Sequence, residues 1–116
     1  VAWARLDDGF YDHPKITRVW RRCPGAVGLH ARVIAYCARH ETDGHILAEI
    51  VTGLSPLQRD REAQVKALIE EGLWYQGEDG FVIHDYLDYN PSREQINHKR
   101  AEDRERKRDQ RAKRNA

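Results

Sequence analysis

Residues 55–86 read SPLQRDREAQVKALIEEGLWYQGEDGFVIHDY, and the fold class follows from how this stretch divides. Its first part has helix-start chemistry, with Pro56 at the first helical position and a Ser55…Gln58 capping box. The apolar residues Val65, Leu68 and Ile69 crowd the second half, and Gly72 supplies a stop. The first half of the helix is therefore expected to face solvent. Beyond Gly72 the period changes: Trp74, Phe81 and Ile83 bracket Gly77-Glu78-Asp79-Gly80, which predicts strands near 73–76 and 81–84 joined by a tight turn.

Working toward the N-terminus, Ile50, Val51 and Leu54 predict a small inward-facing helix with Gly53 near its end, preceded by a short strand at His45-Ile46-Leu47. Before that, Pro24 opens the clearest amphipathic helix. Ala26, Val27, Leu29, Val33, Ile34 and Cys37 recur at helical spacing until Thr42-Asp43-Gly44 ends it. An earlier helix has Asp12 as the expected N-cap, Pro14 in its first turn, and a stripe of Ile16, Val19 and Trp20.

The chain thus reads helix, helix, short strand, short helix, longer helix, hairpin. This is the order of a winged helix-turn-helix, with residues 53–56 as the turn of the helix pair and the hairpin as the wing. The expected fold class is mostly α with a small β-hairpin: a domain over 1–91, then a long charged helix over 92–116 that starts at a second capping box, Ser92…Gln95.

Charge divides at the same place. The net charge of +1 conceals 10 basic and 14 acidic side chains in residues 1–92, against 10 basic and 5 acidic in 93–116, or −4 and +5. Such a split points to a basic arm for a polyanion. The arm is Arg93, Lys99, Arg100, Arg104, Arg106, Lys107, Arg108, Arg111, Lys113 and Arg114. Glu102 to Arg106, Asp103 to Lys107 and Asp109 to Lys113 have the acid-first i, i+4 spacing that supports an isolated helix. Beyond Ile96 only Ala101, Ala112 and Ala116 are apolar, so no coiled-coil seam exists.

In a helix-turn-helix the exposed start of the second helix reads base edges, Arg on guanine and Gln on adenine. That places Gln58, Arg59, Arg61, Gln64 and Lys66 as candidate DNA contacts, although Asp60 and Glu62 stand among them. The expected wing tip, Glu78-Asp79, repels phosphate.

Other chemistries find little support. Cys23 and Cys37 are separated by a predicted helix of about 20 Å, too far for a disulfide, so both are read as free thiols in a reducing compartment. Six histidines include no paired C-x-x-C or H-x-x-x-H spacing, so no metal or other cofactor is expected. His40 reads as a helix C-terminal residue, and His84 as a hairpin-end residue bonded to the chain that follows. Asp12-His13 and His84-Asp85 are sequence neighbours and not a dyad, and no phosphate loop or nucleophile motif accompanies them, so no enzyme is expected. No run of about 18 apolar residues and no signal-peptide pattern is present, which predicts a soluble cytoplasmic protein without membrane contact.

Four stretches, LDDGFYDHPKI, YCARHETDGHI, EEGLWYQGEDGFVIHDYLDYNPSRE and the Arg-rich end, give the chain a family likeness. It resembles small winged helix-turn-helix DNA-binding proteins of actinobacterial phages and mobile elements, which are similar to the N-terminal domains of DnaD-type replisome organisers. The resemblance implies a winged-helix fold and binding of double-stranded DNA in replication initiation or transcription control. Two alternatives stay open: a module that binds a host or phage protein, and RNA binding through the Arg-rich helix. A homodimer is a further expectation, since many such modules read two DNA half-sites.

Overall fold

The computed structural model describes residues 3–115. After a 3₁₀ turn at Phe10–Asp12, the elements are α1 (Pro14–Arg22), α2 (Pro24–His40), β1 (His45–Leu47), α3 (Ala48–Leu54), α4 (Gln58–Glu70), β2 (Trp74–Gln76), β3 (Gly80–Ile83), α5 (Tyr86–Tyr89) and α6 (Arg93–Asn115). The chain is mostly helical, with one small antiparallel sheet and a long C-terminal helix.

Helix α1 begins differently from the expectation. Its N-cap is His13, whose Nδ1 accepts the Lys15 N–H at 3.1 Å, while Asp12 ends the 3₁₀ turn. Any acceptor can take that role, and the turn carries Asp12 past the position from which its carboxylate could do so. Trp20 also departs from its stripe. Ile16 and Val19 are buried, but Trp20 is 58% exposed, because only two of the three positions face α2 and α4.

Helix α2 is the central support. Ala26, Leu29, Val33, Ile34 and Cys37 are buried along it, and it ends on Glu41 in the left-handed region at φ 56°. The buried set continues with Ile46, Val51, Ala67, Leu68, Leu73, Trp74, Ile83 and Tyr86, so every element except α6 contributes to one core. Both cysteines are free, and burial raises the Cys37 thiol pKa.

The expected hairpin is one half of a three-stranded sheet in the order β1-β3-β2. Trp74 pairs with Ile83 and Gln76 with Phe81, while Ile46 pairs with Phe81 from the other side. Gly80 belongs to β3 and not to the turn. A Cβ there would stand 2.0 Å from the Ile46 carbonyl oxygen, so the central strand can approach β1 only at a glycine. The loop before it is tied down as well, since the Ala48 N–H at the start of α3 donates to the Asp79 carbonyl at 3.0 Å.

The Ser55…Gln58 capping box does not form. Leu57 is extended and α4 starts one residue later, at Gln58, without a side-chain cap. Ser55 is buried, and its hydroxyl donates to Gln64 Oε1 at 2.7 Å, so tertiary packing has taken the group that would have capped the helix. The second box does form: Gln95 N donates to Ser92 Oγ at 3.1 Å, and Ser92 N to Gln95 Oε1 at 2.8 Å.

Helix α6 is about 34 Å long at 1.5 Å per residue and has no buried residue. Its root is nevertheless attached. Arg93 N donates to Asp43 Oδ1 at 2.7 Å, Arg100 pairs with Glu41, and Ile96 is half-buried beside them. The remainder stands clear. The radius of gyration is 18.0 Å, against about 13 Å for a globule of this length, and the longest dimension is 64 Å.

Candidate nucleic-acid interface

The five positions singled out on α4 have unequal standing. Gln58 Nε2 donates to Glu62 Oε1 at 3.0 Å, a pair along the helix's own surface. Arg61 turns back to the Ser55 carbonyl at 2.9 Å and the Pro56 carbonyl at 3.3 Å, where it fastens the α3–α4 turn. Gln64 is held by Ser55 and lies so close to Gly25 that a Cβ there would be 2.7 Å from its Nε2. Lys66 lies 3.9 Å from Glu70, a loose exposed pair. Arg59 alone among the five is exposed and makes no hydrogen bond or ion pair to the described residues.

Much of the other positive charge before α6 is also engaged. Arg18 pairs with Glu71 at 2.7 Å and Arg22 with Glu70 at 2.6 Å, joining α1 to the end of α4. Arg32 donates to the Leu54 carbonyl at 2.8 Å and closes α3. These pairs are half-exposed and individually weak, yet each uses a cation that would otherwise be offered to an anion.

Helix α6 presents the opposite case. Of its ten basic residues, Arg100 is paired with Glu41 and Arg106 with Asp103 at 2.9 Å. Arg93, Lys99, Arg104, Lys107, Arg108, Arg111, Lys113 and Arg114 have no side-chain ion pair among the described residues. The three expected acid-first pairs are absent. Asp103 has taken Arg106 at i+3, and Glu102 has turned back to His98 at 3.3 Å. Exposed pairs of this kind differ by only tenths of a kcal/mol, so spacing alone does not select one partner.

The root of α6 and the middle of α4 lie at opposite ends of α2. Gln64 of α4 meets Gly25 in the first turn of α2, whereas α6 is fixed to Glu41 and Asp43 just past its last turn. Seventeen residues of helix separate those ends, or about 25 Å. Arm and α4 thus form two separate patches and not one continuous basic surface.

One histidine makes the contact its sequence reading anticipated, and another, His30, was not singled out by the sequence. His84 bonds to Asp85, the residue that follows it, at 2.7 Å, and meets Tyr75 edge-on. His30, which lies on the α2 apolar stripe, is buried with 4% exposure and accepts the Trp74 indole N–H on Nδ1 at 2.9 Å. Indole is only a donor, so the neutral ring must carry its proton on Nε2. Burial lowers the His30 pKa to about 4. The signal for it lay in the spacing: positions 26, 30, 33 and 37 fall on one helical face.

No three His, Cys, Asp or Glu side chains converge as a metal site among the described residues, and no described helix is long and apolar enough to cross a membrane. Comparison of the chain with protein-family models, curated proteins and solved structures gave no match.

Proposed function

We propose that residues 1–91 form a winged helix-turn-helix domain, that α6 is a phosphate-gripping arm, and that the protein binds double-stranded DNA in phage or mobile-element replication or transcription control. The order of elements supports the domain reading, with α3 and α4 as the helix pair and β2–β3 as the wing. One observation carries the binding reading: a solvent-exposed helix about 34 Å long, rich in arginine and lysine, that stands clear of an acidic body and leaves eight of its basic side chains without an ion pair among the described residues.

On this reading affinity comes mainly from phosphate neutralisation by α6, and base selection by α4 is slight. Only Arg59 is ready to reach a base edge, and Arg61 has a structural task instead. The wing loop, with Glu78 and Asp79, faces away from the duplex. A different observation bears on a protein partner: Trp3, Tyr11 and Trp20 are each largely exposed, at 85%, 80% and 58%.

Salt-titrated binding to duplex DNA separates the readings. The slope of log K against log salt should fall by about 0.9 for each phosphate that is no longer neutralised, so replacing Arg104, Lys107, Arg108 and Arg111 by Gln should flatten it markedly. A protein without duplex affinity at low salt defeats the DNA reading. Arg59→Ala should change sequence preference at unchanged stability, whereas Arg61→Ala should lower the melting temperature.

A further inference from the structure

A cavity of about 170 Å³ lies between the N-terminal segment, α1, α2 and the end of the sheet, away from both α4 and the length of α6. Its walls include Phe10, Ile16, Ile34, Leu73 and Ile83. The site opens to the surface, and its apolar floor has room for a single aromatic ring.

Among the polar side chains of the cavity, His30 is one of the most deeply buried. Its Nδ1 is occupied by Trp74, which does not line the cavity, and its flat face is stacked on Phe10, which does, with centroids 6.0 Å apart. Nε2 must hold the proton, and it has no acceptor among the described residues. A side chain that is 96% buried thus offers an unspent N–H to the cavity, the arrangement by which apolar pockets orient a ligand.

The rim carries two cations and two carboxylates. Each carboxylate already has a neighbour: Asp7 Oδ1 accepts the Gly9 N–H at 2.7 Å, and Asp85 lies against His84. Its cations are not in ion pairs among the described residues. Lys15 Nζ has only the Gly72 carbonyl at 3.3 Å, and the Arg5 guanidinium has no partner among the described residues. Arg5 is kept at the rim by its own backbone, whose N–H donates to the buried Asn90 side chain at 2.9 Å.

From these features we infer that the cavity is a binding site for a small aromatic carboxylate of about benzoate size. The ring occupies the apolar space beside Phe10 and His30, and the carboxylate accepts from the His30 Nε2–H and meets Arg5 at the rim. The site is independent of DNA binding, and its test does not require nucleic acid.

The test is titration of the ¹⁵N-labelled full chain with benzoate, followed by NMR at the three indole N–H signals. Trp3 and Trp20 are exposed and serve as internal controls, while Trp74 is buried against His30. Benzoate should shift the Trp74 signal saturably and leave the other two in place. Benzyl alcohol, of the same size but uncharged, should bind more weakly. Arg5→Ala, a surface change that leaves the core intact, should weaken benzoate roughly five-fold. No Trp74 shift up to tens of millimolar benzoate, or equal movement of all three signals, would overturn the site. Benzyl alcohol binding as well as benzoate, or Arg5→Ala binding unchanged, would overturn the carboxylate assignment.

Discussion

His30 and Gly80 show how much depends on single side chains in a domain this small. His30 is neutral in the folded state down to about pH 4, whereas in the unfolded chain it takes up a proton near pH 6.5. Because the unfolded state binds the extra proton between those values, stability is full above about pH 6.5 and falls as the pH drops toward 4. The loss approaches about 3 kcal/mol by the lower limit. Urea denaturation at pH 7.5 and pH 4.5 should show it, and the difference should shrink in His30→Gln; an equal acid loss in that variant would assign the effect to other groups. Gly80 is a steric requirement. Gly80→Ala places a methyl group against the Ile46 backbone, and the strand cannot yield without losing its pairing to β1. Thermal unfolding should reveal a loss of at least about 2 kcal/mol, in the upper range for overpacked sites.

Among the elements, the two Ser-x-x-Gln stretches explain what the sequence could reveal about helix ends. Both have the spelling of a capping box. Ser92–Gln95 forms one because nothing else competes for its groups, while Ser55 is drawn into the core and bonded to Gln64, nine residues away. Local chemistry was legible where the chain is exposed and was overridden where it is buried. Similarly, the periodicity of α2 and the strand pattern around the hairpin were visible, but the alignment of β1 beside β3 depends on a pairing some 35 residues distant in sequence. The DNA candidates divide in the same way. Charge located the arm, but it could not show that Arg61 and Gln64 are committed to the α3–α4 turn. For α6 itself, the weak attachment predicts melting in two stages. Far-ultraviolet circular dichroism should record a gradual loss of helix before the cooperative transition followed by Trp74 fluorescence. Ser92→Ala should lower the first without shifting the second, and coincident transitions would mean that α6 is part of the cooperative unit.

At the scale of the whole molecule, the design is a compact acidic body with a basic rod attached at one end. The rod's reach is about one turn of duplex DNA, roughly 34 Å, and its root lies about 25 Å of helix from Gln64 in the middle of α4. On the DNA reading, a single copy would touch one duplex at two separated places, which favours affinity over sequence discrimination. The charge division that suggested this was plain in the composition. The attachment was not, because Glu41, Asp43, Arg93 and Arg100 are joined only once α2 has turned back toward the C-terminal segment.

Asn90 adds a mechanical property. Its buried amide accepts the Arg5 N–H, donates toward the Arg5 carbonyl at 3.5 Å, and lies at the end of α5, three residues before α6 begins. One side chain therefore bolts the leading segment to the hinge of the rod. Asn90→Ala should release both together, with faster hydrogen exchange at Arg5 and at residues 90–93 in the same variant. If only one of the two loosens, the bolt is not shared. Through that one amide, the segment at Arg5 is fastened to the turn that precedes α6.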